Sequence, residues 1–240
     1  MNGTNCLSEN KPLYVRRMFA SIARRYDLLN AMLSFGRDGS WRRFAIAQIE
    51  SVPNGKILDL ATGTGRIALL AAERNPASTV VGVDFCPEML VIAKEGADKG
   101  RAGERITLMQ GDALRLPFPD NTFDCLTIGF ALRNVTSIAS LFLEMARVTK
   151  PGGKMVSLEL TRPSLRILET LHKLYIKIII RCVGGLISGK WDAYTYLPQS
   201  ILEFPSPREV QEVMEAAGWS RVEIHHLTFG AATVETGIKG

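Results

Sequence analysis

No CxxC pair is present: Cys6, Cys86, Cys125 and Cys182 stand far apart. The disulfide framework of a small secreted protein is therefore absent, and free thiols in a reducing cytosol are expected. Histidine is scarce too, with three in the chain, and the neighbours His225 and His226 make no metal-ligand spacing. The first fifteen residues lack the apolar run of a signal peptide. No stretch is long and uncharged enough to span a bilayer. These gaps predict a cytoplasmic protein without a metal, soluble or lying peripherally at the inner face of a membrane. The net charge of +5 suits an anionic surface. The basic residues do not gather into a block of the kind that binds nucleic acid, so no such partner is expected.

What the sequence does have is an ordinary globular composition, 46% hydrophobic and 22% charged over 240 residues. That is enough for one α/β domain, 1–240, with a sizeable core. Val15, Met18, Phe19, Ile22, Tyr26 and Leu29 fall at helical spacing and predict a helix over 13–33, with Pro12 near its start. A second helix is predicted over 40–50. From Lys56 the rhythm changes: strand at 56–61, helix from 64, strand at 79–83, helix from 87. Strands at 105–110, 123–130 and 154–160 follow, with a helix at 137–149. Alternating βα units predict an open, mostly parallel sheet with helices on both faces. The runs 219–227 and 231–238 follow a helix at 207–217 and lie too close together for another helix. They predict an antiparallel hairpin at the sheet edge, making seven strands with the last reversed.

The most informative run is Asp59-Leu-Ala-Thr-Gly-Thr-Gly65, where a strand turns into a helix. Gly63 and Gly65 let the backbone turn sharply and approach a ligand, with Ala61 and Thr64 in the same loop. The helix that follows presents unpaired N–H groups that suit a carboxylate. A lone GxG also occurs for structural reasons alone. Val80-Val-Gly-Val-Asp84 adds an apolar strand ending in an acid about 20 residues past the glycines, where a carboxylate accepts ribose hydroxyls. The bland alternative is that Asp84 only caps the next helix. Gly111-Asp112-Ala113 follows a third strand, where Asp112 suits an adenine amino group and an adjacent N–H a ring nitrogen. Ala68 stands where GxGxxG has its third glycine, and no GxxxxGK[ST] occurs. The pattern fits a nucleoside with an amino-acid tail better than a dinucleotide.

Further motifs extend over nearly the whole chain. They are Val15-Arg-Arg-Met-Phe19 with Ile22-Ala-Arg-Arg-Tyr-Asp27 and Asn30, then Leu33-Ser34, Gly36 and Trp41-Arg42. Leu116-Pro-Phe-Pro-Asp-Asn-Thr-Phe-Asp124, Leu132-Arg-Asn-Val135 and Lys150-Pro-Gly-Gly153 follow, and Tyr196-Leu197, Ser200-Ile201 and Phe204-Pro205 close the set. On these residues the chain resembles the ubiquinone/menaquinone biosynthesis C-methyltransferases, within the class I (Rossmann-like) S-adenosylmethionine-dependent enzymes. The resemblance implies donor binding at Thr64, Asp84, Asp112, Ala113 and Gly129, the last at a position that is often serine. It also implies ring-carbon methylation of a polyprenylated quinol such as demethylmenaquinol. Arg133, through a water, and Asn134 would stabilise the phenolate. Tyr26, Asp27 and Asn30 are candidates to close the pocket, within an N-terminal helical lid at 1–52.

Each has a plainer alternative: Arg133 a surface ion-pair partner, Asn134 a helix cap, Tyr26 a core aromatic. Three positions depart from the family pattern. Arg66 replaces an aspartate, Ala131 a glycine, and Glu235 a common histidine. They motivate a rival acceptor, another aromatic or lipid-like molecule. A non-catalytic nucleoside-binding protein is the rival from a different class. Residues 164–204 form an apolar helical insertion, with a helix expected at 171–187 in which Lys173, Lys177 and Arg181 recur every fourth residue. That stripe fits a membrane interface or a groove for the tail, or a core or homodimer helix whose basic side simply faces water, with Trp191, Tyr194 and Tyr196 just beyond.

Overall fold

The computed structural model describes residues 11–49, 52–162 and 191–240. The apolar helix expected at 171–187 lies outside them, as do the side chains of Trp191 and Tyr194. Among the described residues the helices are α1 (Lys11–Ile22), α2 (Tyr26–Leu33), α3 (Arg37–Ala47), α4 (Arg66–Arg74), α5 (Pro87–Lys99), α6 (Ile138–Val148), α7 (Trp191–Glu203) and α8 (Pro207–Ala216). The strands are β1 (Lys56–Leu60), β2 (Thr79–Asp84), β3 (Ile106–Gln110), β4 (Phe123–Gly129), β5 (Thr149–Leu160), β6 (Trp219–Leu227) and β7 (Ala232–Lys239).

The strands form one sheet in the order β3-β2-β1-β4-β5-β7-β6. Pairing is parallel from β3 across to β5, and β7 runs antiparallel to both β5 and β6. The order reverses at β1, whose neighbours are β2 and β4. Open α/β sheets bind ligands at such a switch point, outside the carboxyl ends of the strands.

Alternation along the strands loads both faces of the sheet. Leu58, Leu60, Leu126 and Ile128 pack with Leu141, Phe142 and Met145 of α6 and Met214 of α8. Ile57 and Cys125 face the other way, against Ala45 and Ile46 of α3 and Ala68, Ala71 and Ala72 of α4. The alanines of α4 let that helix lie close to the sheet, which brings its N-terminus to the end of β1.

Beyond shifts of one to three residues at other ends, three elements differ from the sequence expectation. The single helix predicted over 13–33 breaks at Ala23–Arg25, a 3-10 turn. The tighter turn seats Ala23 on Cys86 and Met89, and α2 restarts with Tyr26 facing the strand ends. Helix α3 begins at Arg37 rather than Ser40, because Gly36 takes a left-handed φ of 73° and the Ser34 hydroxyl accepts from the Asp38 N–H. Strand β5 starts at Thr149, before the Pro-Gly-Gly turn, because a bulge shifts its register against β4 between Phe123 and Cys125.

Candidate active site

A cavity of about 290 Å³ opens at the carboxyl ends of β1, β2 and β4 and the turn after β3. Its polar end is built from Ala61, Gly63, Asp84, Asp112, Ala113 and Gly129. Val15 and Phe19 of α1 and Tyr26 of α2 form an apolar wall on the other side. The volume sits at the lower end of the range for small-molecule sites.

The loop after β1 is held from below and from the side. Asp59 is buried, and its two carboxylate oxygens accept from the Thr62 hydroxyl at 2.6 Å and the Thr127 hydroxyl at 2.7 Å. It braces the loop and touches a smaller cavity of about 30 Å³ shared with Gly63 and Thr64. Burial pushes the Asp59 carboxyl up to about 6, against the two hydroxyl donors that hold it down. The native state therefore keeps this proton in a window where the unfolded chain, with an ordinary aspartate near 4, has released it. Stability should fall between about pH 4 and 6 by roughly 1.4 kcal/mol per pH unit from this group. Thermal melts of Asp59→Asn across that window should lack this component of the slope. An unchanged slope would place the titration elsewhere.

Asp84 closes the loop from the side. Its Oδ2 accepts from Gly63 N–H and its Oδ1 from Cys86 N–H, both at 2.8 Å. At 5% exposure it still lines the cavity, and each oxygen keeps a lone pair for a ligand hydroxyl. Burial raises its carboxyl above the usual range, and the backbone donors oppose that. Asp84 does brace the start of α5 through Cys86, so the structural role and the ligand-facing position coexist. Asp112 is exposed on the turn after β3, one oxygen accepting from Leu114 N–H at 2.9 Å. A Cβ on Gly129 would stand 2.3 Å from the Ile67 side chain, so glycine and Ile67 fit one another where serine is common.

At the ends of β1 and β4, Ala61 and Phe130 adopt left-handed φ, 49° and 58°. Both line the cavity, and strain of this kind collects at functional sites. Phe130 carries a neighbour that sequence reasoning passed over as a site residue. The Arg42 guanidinium lies 5.2 Å from its ring centroid, pairs with buried Asp38, and borders the smaller cavity beside Asp59 and Thr64. The only sequence signal was its place in Trp41-Arg42.

The other predicted residues divide. Tyr26 borders the main cavity and packs edge-on against Phe19, ring centroids 5.7 Å apart. Asp27 turns to the glycine loop, accepting from the Thr64 hydroxyl and from Arg66 Nε, each at 2.8 Å. The departure at Arg66 is thus matched by an acid from α2. Ala131 lines the main cavity. Glu235 does not: it is buried in β7, bonded to the Ser157 and Thr233 hydroxyls, with burial and the nearby Glu159 raising its carboxyl.

Arg133 is 8% exposed and ion-paired with wholly buried Glu159, so its partner is internal rather than on the surface. Glu159 also accepts from the Arg133 backbone N–H at 3.3 Å. The Arg133 Nε is buried without a partner and belongs to a side chain bordering a 40 Å³ cavity with Asn30, Asn134, Tyr196 and Tyr26. That volume admits a water. Asn134 is no helix cap: its amide donates to Phe130 O at 3.2 Å and its oxygen accepts from the Tyr196 hydroxyl at 3.1 Å. Ser137 caps α6 instead. Burial pushes the Tyr196 phenol up to about 12, so it stays a donor at neutral pH.

The model of the ubiE/COQ5 methyltransferase family matches residues 6–239. The chain belongs to this family. It is 43% identical over 226 residues to the ubiquinone/menaquinone biosynthesis C-methyltransferase UbiE of Geotalea daltonii, covering 94% of this chain and 96% of that one. It is 45% identical over 221 residues to the demethylmenaquinone methyltransferase of Thermus thermophilus, covering 92% and 99%. Among solved structures it resembles a SAM dependent methyltransferase from Aquifex aeolicus, with a TM-score of 0.61 at 17% identity over 83% of this chain and 89% of that one. At that identity the likeness shows the shared fold.

Proposed function

We propose that this methyltransferase moves the methyl group of S-adenosylmethionine to a ring carbon of a polyprenylated quinol such as demethylmenaquinol. The observation that carries the proposal is the two-ended cavity. Asp84 and Asp112 stand at its polar end, helices α1 and α2 form its apolar wall, and Arg133 lies just beyond, beside Asn134. The family relatives named for quinone biosynthesis supply the acceptor class.

The residues present fit the donor. Asp84 has lone pairs for two ribose hydroxyls, and Asp112 keeps one oxygen for an adenine amino group beside the Ala113 N–H. The Thr64 backbone N–H and the first turn of α4 offer donors to the tail carboxylate, with Ala61 and Gly129 leaving room, while the Gly65 N–H holds the loop by donating to Thr62 O at 2.9 Å. Bound S-adenosylmethionine supplies a methyl group that is already electrophilic. The chain has to align the ring carbon and keep water out, which the wall of Val15, Phe19 and Tyr26 does. Arg133, through a water at its free Nε, and Asn134 then stabilise the phenolate that directs charge onto the carbon. A tailed quinol resides in a bilayer, so we place the enzyme peripherally at the cytoplasmic face. Among the described residues no helix is long and apolar enough to cross a membrane.

Ala131, a cavity residue that departs from the family pattern, favours a second acceptor, another aromatic of similar size. Labelled S-adenosylmethionine with a short-tailed demethylmenaquinol separates the two. We expect transfer of label to the quinol. Tight donor binding with an unlabelled quinol, and label on another aromatic, would make the second acceptor correct.

A further inference from the structure

The described N-terminal helices hold more than the chain's whole excess of positive charge. Residues 11–49 contain eight basic residues against two aspartates, where the 240 residues together have a net charge of +5. The two aspartates are engaged within this part of the fold, Asp38 with Arg42 and Asp27 with Arg66 and Thr64. Arg17, Arg24, Arg25 and Arg37 are exposed, Arg24 at 4.0 Å from Glu95 of α5 in a solvent-facing pair.

Helix α2 carries an apolar stripe on its outer side. Leu28 is 58% exposed, Met32 44% and Phe35, just past the helix end, 79%. A spacing of four places Leu28 and Met32 on one face of the helix, and exposed Phe35 follows just past its end, with Arg24 and Arg25 one turn before Leu28 and Arg37 just after Phe35. Phe35 takes a φ of 51°, a conformation that a bulky side chain rarely adopts. The inner side of the same helix, through Tyr26, Leu29, Asn30 and Leu33, borders the cavity that Arg133 and Asn134 share. One helix, about 10 Å across, thus separates a basic, apolar surface from the small cavity beside Arg133 and, at Tyr26, from the main cavity.

We propose that this face of α2 docks onto an anionic lipid bilayer, with Leu28, Met32 and Phe35 entering the headgroup region and the flanking arginines meeting lipid phosphates. Charge decides the occupant. An isologous contact with a second copy would press two strongly basic faces together, whereas an anionic leaflet complements them. An amphipathic helix with arginine beside a short apolar stripe suits the interface plane and is too short to span it. The inference deepens the quinol proposal by naming the surface through which a tailed acceptor reaches the site, but its test does not depend on turnover.

The test is flotation of the full-length chain with vesicles of phosphatidylcholine alone or with one-third phosphatidylglycerol. We expect binding about tenfold tighter or more on the anionic vesicles, weakening as salt is raised. Leu28→Ser with Met32→Ser should reduce it about tenfold, and Arg24→Glu with Arg37→Glu should abolish the preference for anionic lipid. Circular dichroism and S-adenosylmethionine affinity should stay at wild-type values in both. Equal binding to the two vesicle types, or retention of binding in both variants, would overturn the proposal. So would a shift of the serine variant from dimer to monomer on gel filtration, which would make the face a contact between copies. Failure of the quinol assay with intact vesicle binding would count against the acceptor alone.

Discussion

Asp84→Ala should weaken S-adenosylmethionine binding by at least about 100-fold, measured by calorimetry, while the protein remains folded. Two losses combine. A carboxylate accepting two ribose hydroxyls makes charge-assisted hydrogen bonds worth about 1.5–3 kcal/mol each in a site shielded from water. The same carboxylate also clamps Gly63 N–H and Cys86 N–H, so its removal loosens the glycine loop and leaves two donors unmet. Asp84→Asn is the sharper comparison, because it keeps the shape. Its NH2 must point either at a backbone N–H or at a ligand hydroxyl that needs an acceptor, so it should recover only part of the loss. Asp112→Asn should cost less, about tenfold, since Asp112 is exposed and offers one oxygen. If Asp84→Ala bound the donor within threefold of wild type, the ribose would have to lie elsewhere in the cavity.

Much of this site was legible in the sequence, for physical reasons that also explain the gaps. Strand ends are where apolar alternation stops, so Asp59, Asp84 and Asp112 could each be placed at one before any coordinates. Parallel pairing then brings Asp84 to the glycine loop, because β1 and β2 start together and end together. What escaped was whatever depends on the third dimension. Asp59 read as part of the ligand loop, yet Thr127, from the neighbouring strand, takes one of its oxygens. Arg42 lies on a helix outside the βα repeat and reaches the site only by packing on Phe130. Glu159 looked like one polar residue in an alternating strand. Nothing local ties it to Arg133, and the pair forms because the Leu132–Asn134 turn follows β4, the strand beside β5. Glu235 stood out as a departure from the family pattern bearing on the acceptor, whereas its side chain lies within the sheet layer between Ser157 and Thr233.

The Arg133–Glu159 pair allows stability and catalysis to be pulled apart. Glu159→Leu leaves a buried guanidinium without its counter-ion, and Arg133→Met leaves a buried carboxylate close to Glu235. Removing one member of a buried pair costs about 3–5 kcal/mol. For a chain of this size that lowers the melting temperature by about 10 °C. The Arg133→Met/Glu159→Leu double variant removes both charges and fills the space with apolar atoms, so it should regain most of the lost stability. Its methyl transfer to the quinol should nonetheless stay at least about 100-fold below wild type, because the phenolate has lost its cationic donor. The S-adenosylmethionine affinity should be unchanged, since neither residue borders the cavity end where Asp84 and Asp112 stand. Melting curves and turnover measured on all four proteins give the coupling energy directly. A double variant both stable and active would reduce Arg133 to a structural ion pair. A stable, donor-binding and inactive one would tie the guanidinium to the chemistry, with Glu159 holding it in place.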